Sequence, residues 1–136
     1  MPDNPGTVFI DANVLLYLAS RDEQKIRKVE ALLAQGGTIS VQILNEIANV
    51  ARRKMKMGWD ETIAFVEQFR LLLKVLPLTE QIHDNGLKLA RRYQLSVYDG
   101  QVVSAALDSG CSVLLSEDMH HGLKIEDRLE IRNPFV

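Results

Sequence analysis

The chain has 136 residues, 46% of them hydrophobic and 25% charged, with a net charge of -2. That length suits one domain with its own core, so residues 1–136 read as a single unit, and nothing in the overall charge attracts a polyanion. Cys111 is the only cysteine, which excludes an internal disulfide and fits a reducing compartment. No apolar run reaches the roughly 18 residues of a membrane span. Met1 to Gly6 lacks the basic-then-apolar order of a signal peptide. A cytoplasmic enzyme or binding module is the class that survives.

Thr7 to Ile10 is β-branched or aromatic throughout and reads as a buried strand. Helices are expected from about Asn13 to Ser20 and from Glu23 to Ala34, the second stopped by Gly36-Gly37. Thr38 to Val41 is a short strand. From Gln42 onward, Ile43, Ile47, Val50, Ala51 and Met55 recur at helical spacing toward Gly58, a natural C-terminal stop. Asp60 is expected to cap the next helix, through Ile63, Val66, Phe69 and Leu73. Val75 to Leu78 reads as an edge strand because of Pro77. Thr79 caps a helix to about Tyr93. Leu95 to Tyr98 reads as irregular, and Asp99 opens a helix closed by Gly110. Val113 to Leu115 is a buried strand, and Leu129 to Ile131 a weaker one. Strands alternating with helices predict an α/β fold, a mostly parallel sheet with helices on both faces.

In such folds ligands bind beyond the carboxyl ends of the strands. Asp11 follows the first strand directly, Glu46 lies in the first turns of the helix after Val41, Asp99 begins a later helix, and Asp118 lies three residues past Leu115. Taken singly, each has a plain reading: Asp11 and Asp99 as helix caps, Glu46 as a solvated helix residue, Asp118 as a loop acid. Together they bring four carboxylates to one edge. Two carboxylates about 4 Å apart repel by roughly 4 kcal/mol at an effective dielectric of about 20, so a cation is expected among them. Hard oxygen donors suit Mg²⁺ or Mn²⁺, and a metal so held can activate water and neutralise a scissile phosphate.

Four segments resemble the motifs of PIN domains, in order. Phe9-Ile10-Asp11-Ala12-Asn13-Val14-Leu15 looks like the opening motif, and Leu44-Asn45-Glu46 resembles the second. Ser96-Val97-Tyr98-Asp99-Gly100 through Leu107 resembles the third, and Cys111 to Met119 the fourth. In size and motifs the chain is most similar to VapC-like toxins of toxin–antitoxin pairs. That resemblance implies a single PIN-like domain, a Mg²⁺- or Mn²⁺-dependent endoribonuclease, a homodimer and a cognate antitoxin. It implies that Asp11, Glu46, Asp99 and Asp118 form the acidic quartet, with Asp11 and Asp99 as direct metal ligands and Asn13 and Ser116 as orienting groups. The family also contains nucleases without a toxin role. Gly100 stands where many relatives carry Ala, a change expected to matter little at a helix start. Glu117 beside Asp118 leaves the fourth acid open by one position.

Arg52 and Arg53, with Lys54 and Lys56, form the densest basic run. They fit either a solvated helix end or a phosphate contact for RNA near Glu46, and Arg91-Arg92 carries the same two readings. Tyr17, Tyr93 and Tyr98 are expected in core packing with a wet hydroxyl, although each could stack a base. Trp59, Phe65, Phe69 and the Leu71-Leu72-Leu73 run read as core, with part of the leucine run free to face a partner because consecutive helix positions point apart. His120-His121 lacks a partner at ligand spacing. Two rival functions stand beside the nuclease. An aspartyl phosphotransfer domain would want a second acid where Asn13 stands. A non-catalytic module would keep the acids for a structural ion. No Gly-x-Gly-x-x-Gly follows the first strand, which disfavours a dinucleotide site.

Overall fold

The computed structural model describes residues 8–136; Thr7, and the Met1–Gly6 segment read above for a leader, lie outside the described residues. The elements follow as β1 (Val8–Ile10), α1 (Ala12–Leu15) with a 3-10 turn over Leu16–Ala19, α2 (Glu23–Gln35), β2 (Thr38–Ser40), α3 (Val41–Arg53), α4 (Trp59–Leu72), β3 (Lys74–Leu76), α5 (Glu80–Tyr93), α6 (Val97–Asp108), β4 (Val113–Leu115), β5 (Lys124–Ile125) and β6 (Leu129–Arg132). The sheet order is β3-β2-β1-β4-β6-β5. Every pairing is parallel except β5 against β6. The α/β class expected from the alternating pattern is the one observed.

Short apolar strands make the centre. Phe9, Ile10, Ile39, Leu114 and Ile131 are fully buried, and each such side chain contributes about 1.5–3 kcal/mol through burial. Phe9 faces Leu114 and Ile10 faces Leu115 across the β1–β4 ladder. From β1 the chain moves through β2 to β3, then crosses back to β4 on the other side of β1. Right-handed crossovers put α1 to α4 on one face and α5 and α6 on the other. The order therefore reverses between β1 and β4, and the crevice at their carboxyl ends is the natural ligand site of such a sheet.

Several boundaries differ from the expectation. The helix expected from Asn13 to Ser20 tightens to 3-10 at Leu16. Val41 starts α3 rather than ending β2. α3 stops at Arg53, well before Gly58, because Met57 N donates back to Ala51 O at 3.0 Å and Arg52 Nη1 donates to Met57 O at 2.7 Å, which closes the turn. Gly58 is extended and caps α4 instead, while Asp60 sits in the first turn, where the helix dipole favours an acid. Ser96, not Asp99, caps α6: its hydroxyl accepts from Asp99 N at 3.0 Å. β5 was not expected. Its turn into β6 places Glu126 and Asp127 at positive φ, where glycine would be the usual signal.

Two packing expectations are corrected. Trp59 is 65% exposed, with the Arg52 guanidinium 4.1 Å from its ring centroid, so it covers a surface cation rather than filling the core. Leu71 and Leu72 at the end of α4 are exposed, while Leu73, the extended residue that leaves the helix, is buried. Gly100 also matters more than expected. α5 and α6 cross at Gly86 and Gly100; a Cβ on Gly100 would collide with the Gly86 carbonyl oxygen and lie 2.8 Å from Ala90 Cβ. Phe65 and Phe69 pack edge-to-face in the core as expected. Among the described residues no helix is long and apolar enough to cross a membrane.

Candidate active site

Asp11 continues β1 by one more rung: its N–H donates to Leu115 O of β4 at 2.9 Å. Its side chain then caps α1, Oδ1 accepting from Ala12 N at 2.8 Å. Oδ2 accepts from the Ser116 hydroxyl at 2.9 Å and from Asn13 Nδ2 at 3.3 Å. The cap reading therefore holds for this residue. Asn13 and Ser116 do orient Asp11, and they touch each other at 3.3 Å. The side chain is buried. Burial pushes its pKa up to about 7, with the charges of Glu46 and Asp99 adding to the rise while the Ser116 and Ala12 hydrogen bonds oppose it.

Glu46 projects from the second turn of α3. Gln42, one turn earlier, donates to Glu46 Oε1 at 3.0 Å and to the Tyr98 carbonyl at 3.3 Å, tying α3 to the start of α6. Burial raises the Glu46 pKa and Asp99 raises it further. Asp99 sits in the first turn of α6, behind its Ser96 cap. Its pKa is raised by burial and by the charge of Asp118. Asp118 is exposed in the loop after β4. The mutual influence links Asp11 with Glu46 and Asp99, Glu46 with Asp99, and Asp99 with Asp118. Asp11, Glu46 and Asp99 thus act on one another, and Asp118 reaches this group through Asp99.

Glu117 belongs elsewhere. Its carboxylate accepts from Lys25 Nζ at 2.7 Å and from the Tyr17 hydroxyl at 2.5 Å. Those two bonds hold its pKa below the usual carboxylate range. Its backbone N–H donates to Asn13 Oδ1 at 3.0 Å, which ties the loop carrying Asp118 to the residue that orients Asp11. Lys25 also stands over the Tyr17 ring at 4.3 Å and the Phe135 ring at 4.9 Å. Sequence reasoning missed Lys25 and Gln42. Gln42 was legible as a polar residue one helical turn before Glu46; Lys25, 92 positions from Glu117, carried no local signal.

The basic residues divide. Arg52 is occupied by Met57 O and Trp59. Arg53 is exposed in a small depression that shares Asn49 with the cleft beside Glu46. Arg92 lies 3.6 Å from Glu126 and over the Tyr93 ring, in a separate groove with Lys88 and Arg128. His121 Nδ1 accepts from Asn133 N at 2.9 Å, a structural contact.

A family model of the PIN domain matches residues 8–122. The chain belongs to the PIN-domain family. Solved PIN-fold structures resemble it across nearly their whole length. A toxin–antitoxin complex from Klebsiella pneumoniae superposes with a TM-score of 0.70 at 16% identity, over 93% of this chain and 97% of that one. DNA-bound VapBC from Salmonella typhimurium gives 0.69 at 19% identity, over 95% and 98%. VapC20 of Mycobacterium tuberculosis, described as a sarcin–ricin loop cleaving toxin, gives 0.66 at 17% identity, over 82% and 89%. These likenesses establish the shared fold. No relative was found among the curated protein sequences.

PIN domains imply a divalent metal, and the residues present fit one. The donors are all hard carboxylate oxygens, and three of the four acids have pKa values raised by burial and, to a smaller extent, by the charge of a neighbouring acid. Among the described residues no three His, Cys, Asp or Glu side chains converge as a closed cage would need. A Mg²⁺ that keeps its waters asks for only one or two of them.

Proposed function

We propose that this PIN domain is a Mg²⁺- or Mn²⁺-dependent endoribonuclease that hydrolyses RNA phosphodiester bonds as the cytoplasmic toxin of a toxin–antitoxin pair. The observation that supports the reading is the placement of the acids: Asp11 directly after β1, Glu46 in the second turn of α3 and Asp99 in the first turn of α6 raise one another's pKa values, and Asp118, in the loop after β4, adds its charge to Asp99. Asp11 and Asp99 would be the direct ligands, with Glu46 and Asp118 acting through water. The bound ion would supply an activated water and neutralise charge on the scissile phosphate. The chain's own contribution is placement. Ala12 N, Ser116 and Asn13 fix the Asp11 carboxylate, and Gln42 fixes that of Glu46. Arg53, exposed with Lys54 in a depression beside Asn49, would meet an RNA phosphate.

A homodimer and an antitoxin belong to the same proposal. Ile63, Leu71 and Leu72 leave an exposed apolar surface on α4. A groove of about 800 Å³ lined by Val41, Leu44, Val66 and Leu71 runs beside edge strand β3. Apolar surface of that kind marks an interaction site. Two solved relatives are themselves toxin–antitoxin assemblies, which supports the partner.

The test is cleavage of RNA by purified protein with Mg²⁺ or Mn²⁺, abolished by EDTA and restored by metal. Metal-independent cleavage in a preparation free of contaminating nuclease would refute the mechanism. Light scattering and co-expression with the neighbouring reading frame test the assembly. A monomer at tens of micromolar whose expression is harmless would remove the toxin reading and leave the nuclease.

A further inference from the structure

Beside Glu46 and Asp99 opens a cleft of about 1040 Å³. Asn45 and Asn49 of α3 form one side, Leu78 and His83 another, and Val97 and Tyr98 of α6 a third. All six are exposed. No Lys or Arg lines the cleft. Tyr98 was expected in packing, yet it is 72% exposed. Its ring and hydroxyl have no partner among the described residues. Leu78 and Val97 extend its apolar surface, so a patch of the kind normally drawn inside stands open next to the acids.

We infer that this cleft is a nucleobase subsite, holding one unpaired base of the RNA against Tyr98 while the adjoining phosphate lies at the acids. The inference rests on the ribonuclease reading above, and it assigns the ring and the two amides that would hold the base. The chemistry of the walls selects the base over the backbone. A phosphate would meet two carboxylates and no cation. A base is uncharged and planar, and its face stacks on an aromatic ring regardless of sequence. Its edge offers donors and acceptors to Asn45 and Asn49, which lie one helical turn apart with amides free of partners among the described residues. In a duplex the faces are stacked and the edges paired, so only an unpaired nucleotide presents both.

The ring also stands at a fixed place relative to the acids. Tyr98 directly precedes Asp99, and its carbonyl accepts from the same Gln42 amide that holds Glu46. Base and scissile phosphate would therefore be positioned by one connected set of contacts.

The test pairs Tyr98→Ala with removal of a base from the substrate. A single-stranded hexaribonucleotide and copies carrying one abasic nucleotide on either side of the cut are compared in wild type, Tyr98→Ala and Tyr98→Trp. Loss of one stacked base corresponds to a rise in KM of about 5- to 150-fold, with kcat nearly unchanged. Tyr98→Trp should keep the wild-type KM. In Tyr98→Ala, the abasic substitution at the matching position should cost nothing further. The same hexamer paired into a duplex should be cut poorly by all three. Binding of the hexamer to Asp11→Asn and to Asp11→Asn/Tyr98→Ala, followed by fluorescence anisotropy, reads the subsite without cleavage. Absence of cleavage by wild type with hexamer binding still dependent on Tyr98 overturns the nuclease reading alone. Independent, additive losses from Tyr98→Ala and the abasic nucleotide would overturn the subsite alone. So would a Tyr98→Ala protein that handles RNA normally but no longer binds its protein inhibitor, which would assign the cleft to that partner.

Discussion

Two neighbouring residues, Glu117 and Asp118, sit in opposite electrostatic worlds. Glu117 turns toward Lys25 and Tyr17 and is neutralised, with its pKa lowered. Asp118 adds its charge to Asp99, which lines a cleft with Glu46, and both of these act on Asp11. One carboxylate is structural and satisfied; the other joins a group that is short of positive charge. The difference lies in whether the fold supplies a cation, and it separates the two acids that the sequence left ambiguous. Strongly perturbed groups in a cleft mark functional sites, whereas a paired surface carboxylate does not.

The largest effect should come from removing an acid of the crevice. Asp99→Asn should lower RNA cleavage by at least about 100-fold, since even groups behind the metal ligands typically cost 10–100-fold. Glu117→Gln should lose far less, because its carboxylate faces Lys25. Equal losses measured side by side would erase the distinction between the two residues.

Stability against pH should separate the regions by sign. The folded pKa of Asp11 lies above its ordinary 3.8, at about 7. The folded state therefore binds the extra proton, and metal-free protein should lose stability as pH rises from about 4 to about 7, by up to about 4 kcal/mol from this group alone. Glu46 and Asp99 are raised too and act in the same direction. Glu117 is lowered, so its contribution is present above its unfolded pKa and fades as pH falls. Urea melts in EDTA across this range should slope downward, and Asp11→Asn should flatten the slope. A wild-type curve that climbs toward pH 7 would mean that the crevice is already compensated.

A smaller effect tests the packing beneath the comparison. Gly100→Ala forces α6 away from α5 and should cost about 1–3 kcal/mol in a urea melt, as overpacking does. Because Asp99 is the preceding residue, cleavage should fall as well, while the Lys25–Glu117 pair stays in place. Unchanged stability would show that the helix crossing can relax.

Every strand but β5 was legible because the signal is local, a short apolar run, and the positions of Asp11 and Asp118 just past β1 and β4 followed from it. Glu46 was readable because Asn45 and Asn49 flank it away from the Ile43–Ile47 stripe. What escaped depends on contacts distant in sequence or on turn geometry. Ser96 followed by Asp99 at the third position is a capping pattern, yet Leu95 to Tyr98 was read as irregular. β5 is two residues long, and its turn uses Glu126 and Asp127 where glycine or asparagine would have signalled it. The value of Gly100 lies in Gly86 and Ala90, which belong to another helix. Trp59 looked like core by residue type, but its ring serves Arg52.

The sheet has one further consequence, at its outer margins. A strand edge with free N–H and C=O groups can template another chain. Here one margin is β3, three residues long, carrying Lys74 and followed at once by Pro77, which has no N–H to offer. The other is β5, two residues long. Neither border offers a fibril-like contact more than a few rungs to grip. Strand addition at either margin has little backbone to pair with, so an assembly of this domain is expected to rest on side chains such as the exposed Leu71 and Leu72.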